Sequence, residues 1–201
     1  MPTRPGTAEL VRNAWQAGTA IPGFNIPYLP MLEPVVRALR DTRCFGLIMV
    51  ARLEWEKFEA RSLEAVGDEY HRCADPDYTR LHLDHVPVID EDHRRVAYEG
   101  LIKRAIAAGY ESVMVDGSRL PFEENLACTK RVAGLAHAAG IPVEAELGAV
   151  MGHEEGPPPS YEELFRTGRG FTDPDEARRF VQETEADWLS VSIADQRHGR
   201  F

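Results

Sequence analysis

Apolar positions along the chain fall into two kinds of segment. Short runs of continuous or β-branched hydrophobicity occupy residues 23–26, 45–51, 79–83, 112–115, 142–147 and 188–193, each of a length suited to a buried strand. Between them, apolar residues recur at helical spacing over 29–39, 99–108, 123–139 and 174–185, and a further amphipathic stretch at 7–17 stands in front. The boundaries agree with this division. Thr172 and Asp173 precede Pro174, a helix-start signal, and Gly109 and Gly140 follow two of the helical stretches, where glycine ends helices. The pattern predicts six strands in alternation with helices, and such alternation means parallel strands joined by crossover helices.

Two architectures meet that description, an open doubly wound sheet and a closed barrel. No Gly-x-Gly-x-x-Gly follows the first strand. Polar residues of chemical interest stand instead at the carboxyl ends of several different runs: Asn25, Asp84 with His85, Asp116, Glu146, and later His198. Open sheets gather ligands at one crevice, whereas barrels build sites from a ring of strand ends, so the barrel is the expectation. The predicted fold is α/β, an incomplete TIM (β/α)8-type barrel with about six of its eight strand-helix units, in a single domain over residues 1–201. An unclosed barrel leaves two parallel strand edges and some apolar surface uncovered, which predicts completion by a partner or aggregation. Residues 152–170, with Pro157, Pro158 and Pro159 in a row, read as a long loop on the active face.

Composition narrows the choice of partner. A net charge of −10 repels nucleic-acid phosphate and anionic lipid, so neither nucleic acid nor a membrane surface is expected. No apolar run approaches the roughly 20 residues of a membrane helix, and residues 1–6 lack the layout of a secretory leader. A cytoplasmic protein is the expectation. Cys44, Cys73 and Cys128 are odd in number and contain no Cys-x-x-Cys, which suits packing residues better than a disulfide or zinc knot.

Chemistry concentrates at the strand ends. In Leu81-His82-Leu83-Asp84-His85, alternation sets His82 and Asp84 on one side of the sheet and Leu83 and His85 on the other, until the strand bends at the Asp84-His85 pair. A carboxylate beside an imidazole serves a metal site with an adjacent acid/base group, or simply ends a strand. In Val143-Glu144-Ala145-Glu146-Leu147-Gly148, two acids at i and i+2 face one side of a buried strand. Such carboxylates need a cation, a metal, a strong hydrogen-bond donor or a proton. Salt bridges to Arg52 or Arg80 would serve, and so would a divalent ion, because Lys57, Lys103 and Lys130 all lie on helical stretches. Asp116-Gly117-Ser118 supplies a third acid at the same level. Gly152-His153-Glu154-Glu155-Gly156 forms a glycine-flanked loop suited either to swinging over a substrate or to solvent. His198-Gly199 offers an imidazole that can ligate zinc and a glycine that lets a substrate near the backbone. His82 is expected to pack or hydrogen-bond inside the barrel.

Taken in order, Gly23-Phe24-Asn25-Ile26, the Leu81 to His85 segment, Ser112-Val113-Met114-Val115-Asp116-Gly117-Ser118, Pro121-Phe122-Glu123-Glu124-Asn125 and the Val143 to Gly148 segment resemble the class II, metal-dependent ketose-bisphosphate aldolases. The resemblance runs from about Leu10 to Ile193. It implies a zinc-dependent (β/α) barrel that cleaves fructose or tagatose 1,6-bisphosphate to dihydroxyacetone phosphate and an aldehyde. By motif, Asp84 resembles the catalytic acid, His85 the first zinc ligand, and Asp116 and Glu146 the carboxylates of a second metal position. Glu154 resembles the loop glutamate that exchanges the ketone's proton, His198 the second zinc histidine, and Asn25 and Gly199 substrate-binding residues. In the family, zinc stabilises the enediolate and takes the place of a Schiff-base lysine. The resemblance also implies a dimer or tetramer of the full-length form. With two units lacking, this chain is expected to show little turnover. Two readings from other classes stand beside it: a noncatalytic metal-binding or assembly subunit, and a metal-dependent hydrolase in which Asp84 or Glu154 activates water.

Overall fold

Alternation along each strand decides which residues meet the helices and which meet one another. The computed structural model describes residues 4–148, 163, 166–168 and 170–193. Helix α1 (Thr7–Gln16) leads into β1 (Gly23–Asn25), then α2 (Leu32–Thr42), β2 (Gly46–Ala51), α3 (Arg52–Lys57), α4 (Leu63–Cys73) and β3 (Thr79–Pro87). There follow α5 (Tyr98–Ala107), β4 (Ser112–Asp116), α6 (Phe122–Ala138), β5 (Val143–Leu147), α7 (Pro174–Thr184) and β6 (Trp188–Val191). All neighbouring strands pair in parallel, and their order in space is their order in the chain. A doubly wound sheet reverses its order partway; this one does not, and it forms six strands of an incomplete TIM-type barrel.

The outward positions are mostly aliphatic, Thr79 with its hydroxyl against Tyr70 being a polar exception. Ile48, Val50, Leu81, Leu83, Val113, Val115, Val143 and Ala145 are all 0% exposed, sealed beneath the helices that join the strands. Burial of a leucine- or valine-sized side chain stabilises by about 1.5–3 kcal/mol, so this face supplies much of the fold's driving force. Inward positions carry a different cast: Arg80, His82 and Asp84 on β3, Ser112, Met114 and Asp116 on β4, and Glu144 and Glu146 on β5. Tyrosine hydroxyls finish the outer layer, with Tyr110 donating to the Leu63 carbonyl at 2.8 Å.

Helix ends follow local chemistry. Asp173 caps α7 by accepting from the backbone of Asp175 at 2.9 Å and Glu176 at 3.0 Å, with Pro174 in the first turn as the sequence predicts. Ser62 caps α4 by accepting from Ala65 at 3.1 Å; this helix is not among the predicted ones, although Leu63, Val66 and Tyr70 recur at helical spacing. The predicted helix at 29–39 opens as a short 3-10 turn at Leu29–Met31 before α2 begins. Strand β3 runs four residues past its predicted end at Leu83, and that extension shapes the site.

Candidate metal centre

Strict alternation would turn His85 toward the helices. The register of β3 against β4 instead shifts between Leu83 and Val86, and His85 adopts a φ of 34°, a left-handed value that costs a non-glycine residue energy. This kink brings the imidazole to the side of Asp84. Its Nδ1 lies 3.6 Å from Asp116 Oδ2 and 3.4 Å from Glu146 Oε2, and its Nε2 lies 4.0 Å from Asp84 Oδ1. The ends of β3, β4 and β5 thus deliver one side chain each to a common point.

Each acid is held by its own surroundings. At Asp116, Oδ1 accepts from the Ser118 backbone at 2.9 Å and the Ser118 hydroxyl at 2.6 Å, across a turn at Gly117. That leaves Oδ2 toward His85. Glu146 is fixed through its backbone: its carbonyl accepts from Asn125 Nδ2 at 2.9 Å, while its buried Oε2 has no hydrogen-bond partner. One layer deeper, His82 is fully buried, with Nδ1 2.8 Å from Ser112 Oγ and Nε2 3.5 Å from Glu144 Oε2.

The charge states follow from this packing. Hydrogen bonding to Asp116 pushes His85 up to about 9 against the opposing effect of burial, helped by Asp84 and Glu146. Burial tends to raise Asp116, but its bonds to His85 and Ser118 outweigh that and hold it below the usual carboxylate range. Glu146 rises to about 7, through burial first and the neighbouring Asp116 second, and Glu144 rises to about 7 through burial and then Asp84. Burial pushes His82 down to about 4.

Neither arginine proposed as a salt-bridge partner reaches these acids. Arg80 is spent on Glu111 at 3.2 Å and on the carbonyls of Pro5, Pro76 and Thr79; Arg52 meets Asp90 at 3.6 Å and Glu56 at 4.0 Å. All three lysines sit on helices, as expected. Among the described residues, the cation that faces Glu146 is His85 alone.

The donor set fits a divalent ion. One ligand atom from each of His85, Asp116 and Glu146 lies within 4.8 Å of the others. Tetrahedral ligands at about 2.1 Å from zinc stand about 3.4 Å apart, close to the two distances from His85, and an orphaned buried carboxylate oxygen completes the match. A cavity of about 280 Å³ adjoins the cluster, lined in part by His85, Asp116, Leu53, Pro87, Ile89 and Arg119.

Beyond the cluster, Asp84 Oδ2 accepts from Asn25 Nδ2 at 2.8 Å, so two residues predicted for the site are joined directly. Glu54 and Glu144 were not among the predicted site residues, although Glu144 shares its strand face with Glu146. Glu54, 9% exposed, accepts from the Ala51 backbone at 2.7 Å and from Asn25 Nδ2 at 3.4 Å, and burial raises its pKa. An acid three residues after the strand end, at a helix-capping position, was its only sequence signal. Glu154, His198 and Gly199 lie outside the described residues.

Comparison with known proteins covers the same stretch of chain. The family model for fructose-bisphosphate aldolase class-II matches residues 6–200. A fructose-bisphosphate aldolase of Treponema pallidum is 32% identical over 200 residues, covering 96% of this chain and 55% of that protein. The YdjI aldolase of Escherichia coli K12 superimposes with a TM-score of 0.70 at 27% identity, covering 95% of this chain and 62% of the other. A fructose-bisphosphate aldolase of Campylobacter jejuni, at 18% identity and a TM-score of 0.69 over 94% and 58% of the two chains, shares the fold. The chain therefore spans about half the length of its curated relative.

Proposed function

We propose, from the premise that this chain belongs to the class II fructose-bisphosphate aldolase family, that its site binds zinc and serves the aldol cleavage of a phosphorylated ketose. The family is of lyases that act on phosphorylated sugars. The observation that carries the reading for this chain is the meeting of His85, Asp116 and Glu146 from three strand ends, with no guanidinium or ammonium among the described residues to neutralise them.

His85, Asp116 and Glu146 would hold the ion, with His198 a further ligand. Zinc bound there would supply a Lewis acid that steadies the negative charge left on the ketone fragment when the carbon-carbon bond breaks. The remaining work belongs to side chains. Cleavage removes the proton of the hydroxyl beside the scissile bond, and Asp84 takes that proton with Oδ1 while Asn25 holds Oδ2. In the reverse direction Asp84 returns it to the aldehyde oxygen. Glu154 exchanges the carbon-bound proton of dihydroxyacetone phosphate, and Gly199 lets the substrate approach the backbone. Ser118 keeps Asp116 ionised and aimed.

We assign efficient turnover to a closed barrel, of which these six strands form a part. We take residues 1–201 as one partial (β/α) barrel domain, in the cytoplasm, and assign a dimer or tetramer to the full-length form. A noncatalytic metal-binding subunit is the second reading, favoured by the exposure of Trp15 and Ile193 at 78% and 79%. Titrating the purified chain with zinc while assaying triose phosphate release from fructose 1,6-bisphosphate tests both. One zinc per chain, lost in His85→Ala, with slow cleavage supports the aldolase. Zinc binding with no cleavage and no proton exchange on dihydroxyacetone phosphate supports the subunit. Absence of zinc binding overturns both.

A further inference from the structure

A carboxylate held almost wholly out of water needs a reason, and among the described residues Glu54 makes no ion pair, the His85 imidazolium acting on it only from a distance. Its two donors are the Ala51 backbone N–H and the Asn25 side-chain amide. The amide is the informative partner. Its nitrogen carries two hydrogens, one directed to Glu54 Oε2 and one to Asp84 Oδ2. Carboxylates accept and do not donate when ionised, so two of them flanking the same nitrogen fix which end of the amide faces inward.

The strand register explains how this reach is possible. Asn25 pairs with Met49 on β2, and Ala51 on β2 pairs with Asp84 on β3. Adjacent strands lie about 4.8 Å apart, so β1 and β3 are separated by about 10 Å with β2 between them. A side chain crosses that gap only if the intervening inward residue is small. Ala51 is that residue: its methyl leaves the space open, and its N–H orients Glu54 from the same position.

We infer that Glu54 is a positioning residue which, through Asn25, holds the Asp84 carboxylate in register with the metal cluster. It touches no reacting atom. Its part is to spend the second amide hydrogen of Asn25, so that the amide cannot swing off Asp84 and Oδ1 stays turned to the site. What Asp84 then does rests on the aldolase reading; the arrangement itself does not.

The experiment follows from that separation. Hydrogen exchange of the Asn25 side-chain amide, measured by NMR on the metal-free chain, needs neither zinc nor substrate. Slow exchange in the wild type, about tenfold faster in Glu54→Ala and near wild type in Glu54→Gln, is expected, because glutamine keeps an acceptor oxygen in place. If Glu54 only capped α3, the Asn25 amide would exchange alike in the wild type and Glu54→Ala, and the proposal would be overturned. Exchange at the rate of a solvated amide in the wild type overturns it too. In the zinc-loaded chain, Glu54→Ala should lower kcat for cleavage about tenfold with KM unchanged, and leave proton exchange on dihydroxyacetone phosphate intact. If Glu54→Ala fails to fold, Glu54→Asp, whose carboxylate is one methylene short of Asn25, takes its place and should show the same faster amide exchange. Wild-type chain that neither cleaves nor exchanges while showing a protected Asn25 amide would sink the aldolase reading and leave this one standing.

Discussion

The two faces of one sheet obey opposite rules. Outward, Ile48, Leu81, Val113 and Val143 meet helices with nothing polar among them. Inward, one residue along the same strands, His82, Asp84, Glu144 and Glu146 crowd together with two buried polar atoms left without hydrogen bonds. The first arrangement lowers the energy of the folded chain and the second raises it. The difference teaches that folding accounts for the outer face only: the inner acid row adds nothing to it, and on the reading proposed above it serves to hold a cation.

The largest expected effect breaks the outer face. Leu81→Ala should cost about 2–5 kcal/mol in denaturant unfolding, because the cavity beneath the helices cannot collapse fully, while zinc affinity of the folded fraction stays unchanged. A matching loss of zinc affinity would show that the faces are coupled.

The inner face should respond with the reverse sign. Glu144 has a folded pKa of about 7, above its ordinary 4.5, so its contribution is fully favourable below pH 4.5 and is lost as pH rises through 7. Glu144→Gln should therefore match the metal-free wild type near pH 4 and exceed it at pH 8, by on the order of 2 kcal/mol. Equal stability at both pH values would mean that water reaches Glu144 freely. His82 works in the other direction: its depressed value makes stability complete above pH 6.5 and drains it as pH falls toward 4.

A smaller effect probes the seam between the faces. Asn125→Ala strips the donor from the Glu146 carbonyl and should cost about 1–3 kcal/mol together with a measurable loss of zinc affinity in calorimetry. Smallest of all is the surface pair of Arg104 with Glu64, at 2.7 and 2.9 Å. Glu64→Ala should cost less than about 1 kcal/mol, and less again in high salt.

Much of the outer face was legible in the sequence because continuous apolar runs and helical spacing encode it directly. The inner acids were legible too: Glu144 and Glu146 at i and i+2 can only share a face. His85 was half legible. The bend expected at the Asp84-His85 pair is where the register shifts, but the direction of the kink, which turns the imidazole inward, depends on pairing with β4 and no local pattern carries it. Glu54 was only faintly legible, from its helix-capping position, since one of its partners is a side chain from a strand 29 residues earlier. Helix α4 was legible but not read: Ser62 marks its start and Leu63, Val66 and Tyr70 recur at helical spacing.

The strand order has a bearing on how the protein is made. Because each described strand after the first lies beside its immediate predecessor, each unit emerging from the ribosome can dock at once on a neighbour already in place. Synthesis and assembly can then advance together, with the newest strand always serving as the template for the next.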